Sequence, residues 1–376
     1  MLIHKVKKGE TVYSIAEGYG VSPKVIIENN ALSYPDRLPI GRELLILMPT
    51  KTYTSRRGDE IEKVCKRFSL EKEELLRNNP SLSAMAKIYP EEIFSIRYPE
   101  KSHGLIFTNG YLYDGCSTDK LSSLLRYLSE VTLCSSIYEK NQVRNIFDAR
   151  RFKEFIKKKG KKLNLRIYLK GPLDENYFNE SSPSQFLKAA KSIEADGIIL
   201  PIPASADQKA LISFIENLYE ILKNEQITLT LEYTKDTPVA IESSCDRKII
   251  CRDGTLERLL TQQSDELKFY TEICPKIKAE RTMLDLSPFA YRENKGVDLE
   301  SMLMECDRNL KEIYEGPDGM ILYFGEGAKR CVMPSLKYIK AKLDLVGELG
   351  FMGVCIDIMR CPRSHIMMLS SLFHIC

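Results

Sequence analysis

The 376 residues contain no tryptophan and only four histidines. The first absence removes the side chain best suited to stacking against a sugar ring. The second leaves few imidazoles for a metal centre. Eleven cysteines are scattered from Cys65 to Cys376 with no C-x-x-C pair. Zinc spacing is therefore absent, and the odd count gives no closed disulfide framework. Reduced, mostly buried thiols are expected, with cross-linking after assembly into an oxidising shell as the alternative. No metal or cofactor is expected. A net charge of +3 carries no basic footprint for nucleic acid. The longest apolar runs, such as Ile198 to Ile202, are of strand length, far below the roughly 18 residues of a membrane span. Residues Met1 to Lys8 lack an apolar core, so no secretory signal is expected.

What is present is a repeat. Residues 3–49 and 52–99 share one pattern at a spacing of 49 between Gly9 and Gly58. Each copy opens with a short strand, Ile3 to Val6 or Tyr53 to Arg56. A glycine then permits a tight turn, and a polar residue caps a helix. Asp59 with Glu62 has the spacing of a capping box. Val12, Ile15, Ala16 and Tyr19 share a helical face, as do Ile61, Val64, Cys65 and Phe68. Ser22-Pro23 is an N-cap followed by proline at the first helical position, and Ser69 is assigned the same role in the second copy. Asn29-Asn30 and Asn78-Asn79 end these helices with residues that tolerate left-handed geometry. A closing strand follows, Leu44 to Leu47 or Ile93 to Ile96.

This strand–helix–helix–strand unit resembles the LysM family. V-K-K-G-E-T-V-Y-S-I-A-E-G-Y-G-V-S, Val6 to Ser22, carries the likeness most specifically, and Pro39-Ile40-Gly41 precedes the last strand of the first copy. The second copy has Pro90-Glu91 instead. The resemblance implies binding of N-acetylglucosamine polymers such as peptidoglycan or chitin. The groove would lie between the loop after the first strand and the loop before the last. Its residues would be Gly9, Glu10, Thr11, Val12, Asn30, Leu38 and Ile40 in the first copy. Gly58, Asp59, Glu60, Ile61 and Asn79 would serve in the second. Residues 1–50 and 51–100 are thus expected to form two modules.

From residue 101 onward, strand-like runs alternate with amphipathic helices. The strands are Gly104–Thr108, Val131–Ile137, Leu163–Leu169, Gly197–Ile202, Ile227–Tyr233, Lys248–Cys251, Thr282–Leu286 and Met352–Ile358. Helices are expected at Leu121–Glu130 and Ala206–Lys223. Eight such units over 101–376 predict an α/β fold, a (β/α)8 TIM barrel behind two small βααβ units.

Asn109-Gly110-Tyr111, Ser335 to Gly350 and Gly353 to Phe373 resemble glycoside hydrolase family 18. The likeness is to the branch of spore cortex-lytic N-acetylglucosaminidases with paired LysM modules. That family lets the substrate's acetamido group attack and supplies a general acid at the end of D-G-x-D-x-D-x-E on the fourth strand. Here the segment reads Asp196-Gly197-Ile198-Ile199-Leu200-Pro201-Ile202-Pro203. Ile199 and Pro201 replace two aspartates, and Pro203 stands at the acid position. Proline has no proton to give. On the sixth strand Cys251-Arg252-Asp253 replaces the family's Tyr-Asp pair, and Asp357 stands where the family places a Trp. Asp196 reads as a relic of that pattern or a structural turn residue.

The favoured reading is a peptidoglycan-binding protein with an inactive barrel as scaffold. The alternative is a glycosidase with relocated carboxylates: Glu232, Asp253 or Asp357, with Asp285, ahead of Pro288 and Tyr291, as a further candidate. A barrel acting as a lectin is a third reading, which the missing Trp disfavours. The resemblance implies synthesis in the cytoplasm without a signal peptide and a place in the spore coat, cortex or cell wall, with spore-coat proteins as further partners.

Overall fold

The computed structural model describes residues 1–83, 87–148, 150–171, 177–202, 208–233, 244–251, 278–286, 290–292, 295–309, 312–315, 320–324 and 330–376. The first repeat runs β1 (Leu2–Lys5), α1 (Val12–Tyr19), α2 (Pro23–Asn30) and β2 (Glu43–Ile46). The second runs β3 (Lys51–Thr54), α3 (Ile61–Phe68), α4 (Lys72–Asn78) and β4 (Ile93–Arg97). Each pairs its two strands antiparallel and packs its own apolar cluster.

Four expected caps are corrected. Asp59 and Glu62 form no capping box: Glu60 is the N-cap of α3 and makes no side-chain cap bond. Asp59 turns back instead to the Tyr53 hydroxyl at 2.6 Å and the Arg56 amide at 2.7 Å. Ser69 does not open α4; it closes α3 at φ 52°, and Glu71 is the N-cap of α4. The left-handed residue after α2 is Ala31, at φ 50°. Asn79 ends α4 at φ −130°. Asn30 and Asn79 are not spent on helix-end geometry because their amides tie helix to strand. Asn30 Nδ2 donates to Ile26 O and Leu45 O, and Leu45 N donates to its Oδ1. Asn79 does the same with Leu75 and Ser95.

The remaining chain folds into a barrel. Its strands are β5 (Leu105–Leu112), β6 (Glu130–Glu139, with β7, Gln142–Asn145, antiparallel beside it), β8 (Lys162–Leu169), β9 (Gly197–Pro201), β10 (Thr228–Tyr233), β11 (Arg247–Ile250), β12 (Thr282–Asp285) and β18 (Gly353–Asp357). They pair in parallel in that order, and β18 returns to β5 to close the ring. All eight expected strands are present. The first expected helix is displaced. Here α5 spans Thr118–Leu125 under a Ser117 cap, and Glu130 already begins β6. The apolar run to Leu128 looks helical, but Tyr127 and Leu128 belong to the turn into that strand. After α6 (Arg150–Lys158) and α7 (Ser182–Ser192), the second expected helix is α8, Gln208–Asn224. Along each strand alternate residues face outward to the helices, as Ile198 and Leu200 do, or inward, as Ile199 does.

An insertion absent from the sequence reading lies between β12 and β18. It contains β13 (Ala290–Arg292), β14 (Lys295–Val297), α9 (Leu299–Asn309), β15 (Tyr314–Glu315), β16 (Met320–Phe324) and β17 (Arg330–Pro334). Its five strands form one antiparallel sheet in the order β14-β13-β17-β16-β15. Then come α10 (Leu336–Glu348) and, after β18, α11 (Arg363–Leu372).

Both repeats are docked on the barrel. Leu45 and Leu47 join the barrel's main core. Arg42 pairs with Asp307 of the insertion at 3.1 Å, both nearly buried, and Glu43 accepts the Leu336 amide at 2.5 Å. Gly41, at φ 83°, lies so close that a Cβ there would sit 2.0 Å from Ile313 O. In the second repeat, Arg126 donates to Leu76 O and Leu82 O, and the Tyr127 hydroxyl to Arg77 O.

Candidate functional site

The two expected groove regions follow one design. In the first, Glu10 accepts the Lys7 amide at 2.7 Å and meets His4 Nε2 at 2.9 Å. Burial alone would raise its carboxyl, and the Lys7 amide and His4 outweigh that to hold it below the usual range. Asp59 repeats the geometry with Arg56 and Tyr53, which hold it low in turn. His4 stands edge-on to Tyr19 as Tyr53 does to Phe68. Gly9 and Gly58 take φ 83° and 86°, the turn geometry that glycine tolerates. Thr11 caps α1 through Ser14 in a reciprocal pair of bonds. Where Gly41 turns before β2, Glu91 takes φ 68° before β4.

The structure sorts the twelve expected groove residues. Val12, Asn30, Leu38, Ile61 and Asn79 are buried, which makes them the frame. Gly9, Glu10, Thr11, Ile40, Gly58, Asp59 and Glu60 remain at least partly exposed. The sequence reading missed Tyr13 and Tyr89, which stand 57% and 59% exposed beside these loops. Ile40 is 37% exposed, and its carbonyl accepts the Ile313 amide of the insertion at 2.9 Å.

Inside the barrel, Ile199 packs with Tyr111, Cys134, Ile249, Cys251, Met283 and Cys355. Glu232, on β10, is held by Arg166 of β8. Arg166 Nε donates to Oε2 at 2.8 Å and Nη2 donates to Oε1. The side chains are 10% and 7% exposed. Tyr111 donates to the same carboxylate at 3.4 Å. The guanidinium also lies 4.3 Å from the Tyr168 ring centroid and 5.1 Å from that of Tyr111. Burial works against the Arg166 charge, but Glu232 outweighs it and holds the guanidinium protonated. Only one side of this cluster was legible: Asn164, Arg166 and Tyr168 alternate with Leu163, Leu165 and Ile167 along one strand, but the register that brings Glu232 against them is not written in that pattern.

Asp357 lies at the end of β18, almost fully buried. It accepts the Met359 and Arg360 amides at 2.9 and 3.1 Å and faces Arg360 at 3.6 Å. Burial pushes its carboxyl up against these partners. Asp285 pairs in register with Cys355 at the end of β12. Asp196 accepts the Leu163 amide and the Lys157 ammonium, each at 2.7 Å, a structural clasp at the start of β9. Pro203, Asp253 and Pro288 lie outside the described residues, as does the Tyr291 side chain. Among the described residues no three His, Cys, Asp or Glu side chains converge as a metal set.

Residues 4–47 match the LysM domain family. Over its whole length the chain shares its fold with the spore cortex-lytic enzyme SleL of Bacillus megaterium QM B1551. The TM-score is 0.71 at 17% identity, covering 100% of this chain and 98% of that one. SleL of Bacillus cereus superposes with a TM-score of 0.73 at 15% identity, with coverage of 100% and 98%. A chitinase of Chromobacterium violaceum covers 71% of this chain and 98% of its own, at TM-score 0.58 and 12% identity. No curated protein matches the sequence. The chain therefore combines an N-terminal LysM domain with a barrel of the SleL and chitinase fold. No helix among the described residues is long and apolar enough to cross a membrane.

Proposed function

We propose that this chain binds N-acetylglucosamine polymers of the peptidoglycan type and does not cut them. Residues 1–50 and 51–100 act as two carbohydrate-binding modules, and 101–376 is a barrel without glycosidase chemistry. The observation that carries the second half is the filling of the barrel centre. The inward place to which the resemblance assigns an aspartate holds Ile199, which packs with Tyr111, Cys134, Ile249, Cys251, Met283 and Cys355. The inward carboxylate of the next strand, Glu232, is committed to Arg166. A general acid must carry a proton and reach the leaving oxygen. A carboxylate whose two oxygens are both taken by a buried guanidinium is not placed to reach a leaving oxygen. The same loop geometry in both repeats, with exposed Tyr13, Ile40 and Tyr89 beside the loops, supports sugar binding by each. The SleL neighbours, spore cortex-lytic enzymes by name, support a place at the spore cortex; synthesis in the cytoplasm, a position reaching into the coat and coat-protein partners are part of the proposal.

The relocated-carboxylate reading draws on Asp357, whose buried carboxyl is pushed toward the protonated form at a strand end. Two backbone amides and Arg360 already occupy its oxygens, so we favour a turn-forming role. Retention of the full chain on insoluble peptidoglycan, with release of reducing sugar followed in the same tube, tests the proposal. Retention without release is expected; release that disappears in Asp357→Asn would establish the alternative.

A further inference from the structure

The second repeat and the barrel enclose a groove that neither sugar-loop geometry nor the barrel centre accounts for. The end of α4 and the loop after it, Arg77 to Leu82, form one wall. The other is α5 with the segment entering β8. The cavity measures about 530 Å3, within the range of roughly 300–1,000 Å3 typical of small-molecule sites. At Pro80, Asp119 and Ser123 it meets a second recess of about 320 Å3 that Arg363 also lines. Arg77, Arg126, Lys159 and Lys161 line the larger cavity against only Glu73 and Asp119. None of these four cations makes an ion pair among the described residues. Arg126 is fixed in place by the Leu76 and Leu82 carbonyls.

We propose that this groove binds a carboxylate-bearing saccharide, a stretch of amino-sugar polymer whose acidic groups are seated by Arg77, Arg126, Lys159 and Lys161. The proposal deepens the wall-polymer reading and rests on it. Uncompensated cations pressed into a concave, partly buried place repel one another, and an anion relieves that repulsion. The crowding is visible within the set and beside it. Burial, then Arg77, lowers Lys161. Burial, then Arg77, brings Lys101 down to about 8. A saccharide fits better than a small inorganic anion on two grounds. The cavity is far larger than one ion, and its lining adds the hydroxyls of Ser81, Ser122 and Ser123. Ser81 and Ser123 already donate to Glu28 and to Lys120 O, which leaves their oxygens to accept from sugar hydroxyls.

The test is calorimetric titration of the full chain with three probes. These are an alternating N-acetylglucosamine–N-acetylmuramic acid tetrasaccharide, the same glycan with its carboxyls reduced to alcohols, and inorganic phosphate. The wild type is expected to bind the acidic glycan at least about tenfold tighter than the reduced one, the size of one charge-assisted bond. Arg77→Gln with Lys161→Gln should bind both glycans equally at an unchanged melting temperature. In the wild type, added salt should weaken only the acidic glycan. Equal binding of the two glycans by the wild type overturns the proposal. So does discrimination that persists in the double variant, or phosphate binding as tight as the acidic glycan. Should the double variant fold poorly, the salt dependence of the wild type decides in the same way. A reduced glycan that binds nowhere contradicts the sugar-binding role of the repeats instead, so the two failures are distinguishable.

Discussion

Replacing Glu232 by glutamine should destabilise the fold severely, whereas replacing both Glu232 and Arg166 by leucine should not. Arg166 and Glu232 meet through two bonds, one of 2.8 Å, with side chains only 10% and 7% exposed. Removing one charge leaves the other buried without a counterion, a loss of about 3–5 kcal/mol. The rings of Tyr168 and Tyr111 face the guanidinium with or without the carboxylate, so they do not change the difference. The cost for Glu232→Gln is then about 3–5 kcal/mol, a large part of the roughly 5–15 kcal/mol that holds a typical domain together. The double leucine variant removes both charges and keeps comparable volume, so it should fall within about 1–2 kcal/mol of the wild type. Urea unfolding at neutral pH, followed by tyrosine fluorescence and circular dichroism, measures all three proteins. A Glu232→Gln protein as stable as the wild type would refute the reasoning. It would mean that the carboxylate is free to do something else, as the relocated-acid reading requires.

Three further outcomes follow from the packing. Asn30→Ala strands the buried Leu45 amide and two carbonyls and should cost about 2–4 kcal/mol, read from a drop in the urea midpoint. Gly41→Ala places a methyl against the Ile313 carbonyl at a left-handed position, adding at least about 1–2 kcal/mol of backbone strain; faster proteolysis or hydrogen exchange around residues 39–43 should report loosened docking of the first repeat. Burial, then Arg42, lowers His365 from its ordinary 6.5 to about 3. As pH falls through 6.5 the unfolded chain gains a proton that the folded chain refuses. Stability present above 6.5 is therefore lost toward pH 3, by at most about 1.4 kcal/mol per unit. A His365→Met protein should lose less over that window than the wild type.

The fold was largely legible because barrel strands and repeat helices announce themselves by period. Leu163, Leu165 and Ile167 against Asn164, Arg166 and Tyr168 is a pattern of two, and Val12, Ile15, Ala16 and Tyr19 one of 3.6. Caps were less legible. Asp59 looked like a capping residue, but Tyr53 and the Arg56 amide compete for the same carboxylate, and only the folded turn decides between them. Asn30 and Asn79 looked like helix terminators, while the strand lying beside them offers more hydrogen bonds. The sheet between β12 and β18 went unread because its strands are short and break the strand–helix alternation that made the barrel recognisable. Of the site, the lack of acids at Ile199 and Pro201 was plain in the sequence. The Arg166 partner of Glu232 was not, since pairing across the barrel depends on register between strands distant in the chain.

The most direct measurement gives the full chain a soluble, peptide-free peptidoglycan strand and follows the bound fraction and the number of new reducing ends over the same hours. The account predicts saturable binding with no new ends, for the wild type and for Asp357→Asn alike. New ends that accumulate in proportion to wild-type protein, and vanish with Asp357→Asn, would contradict it.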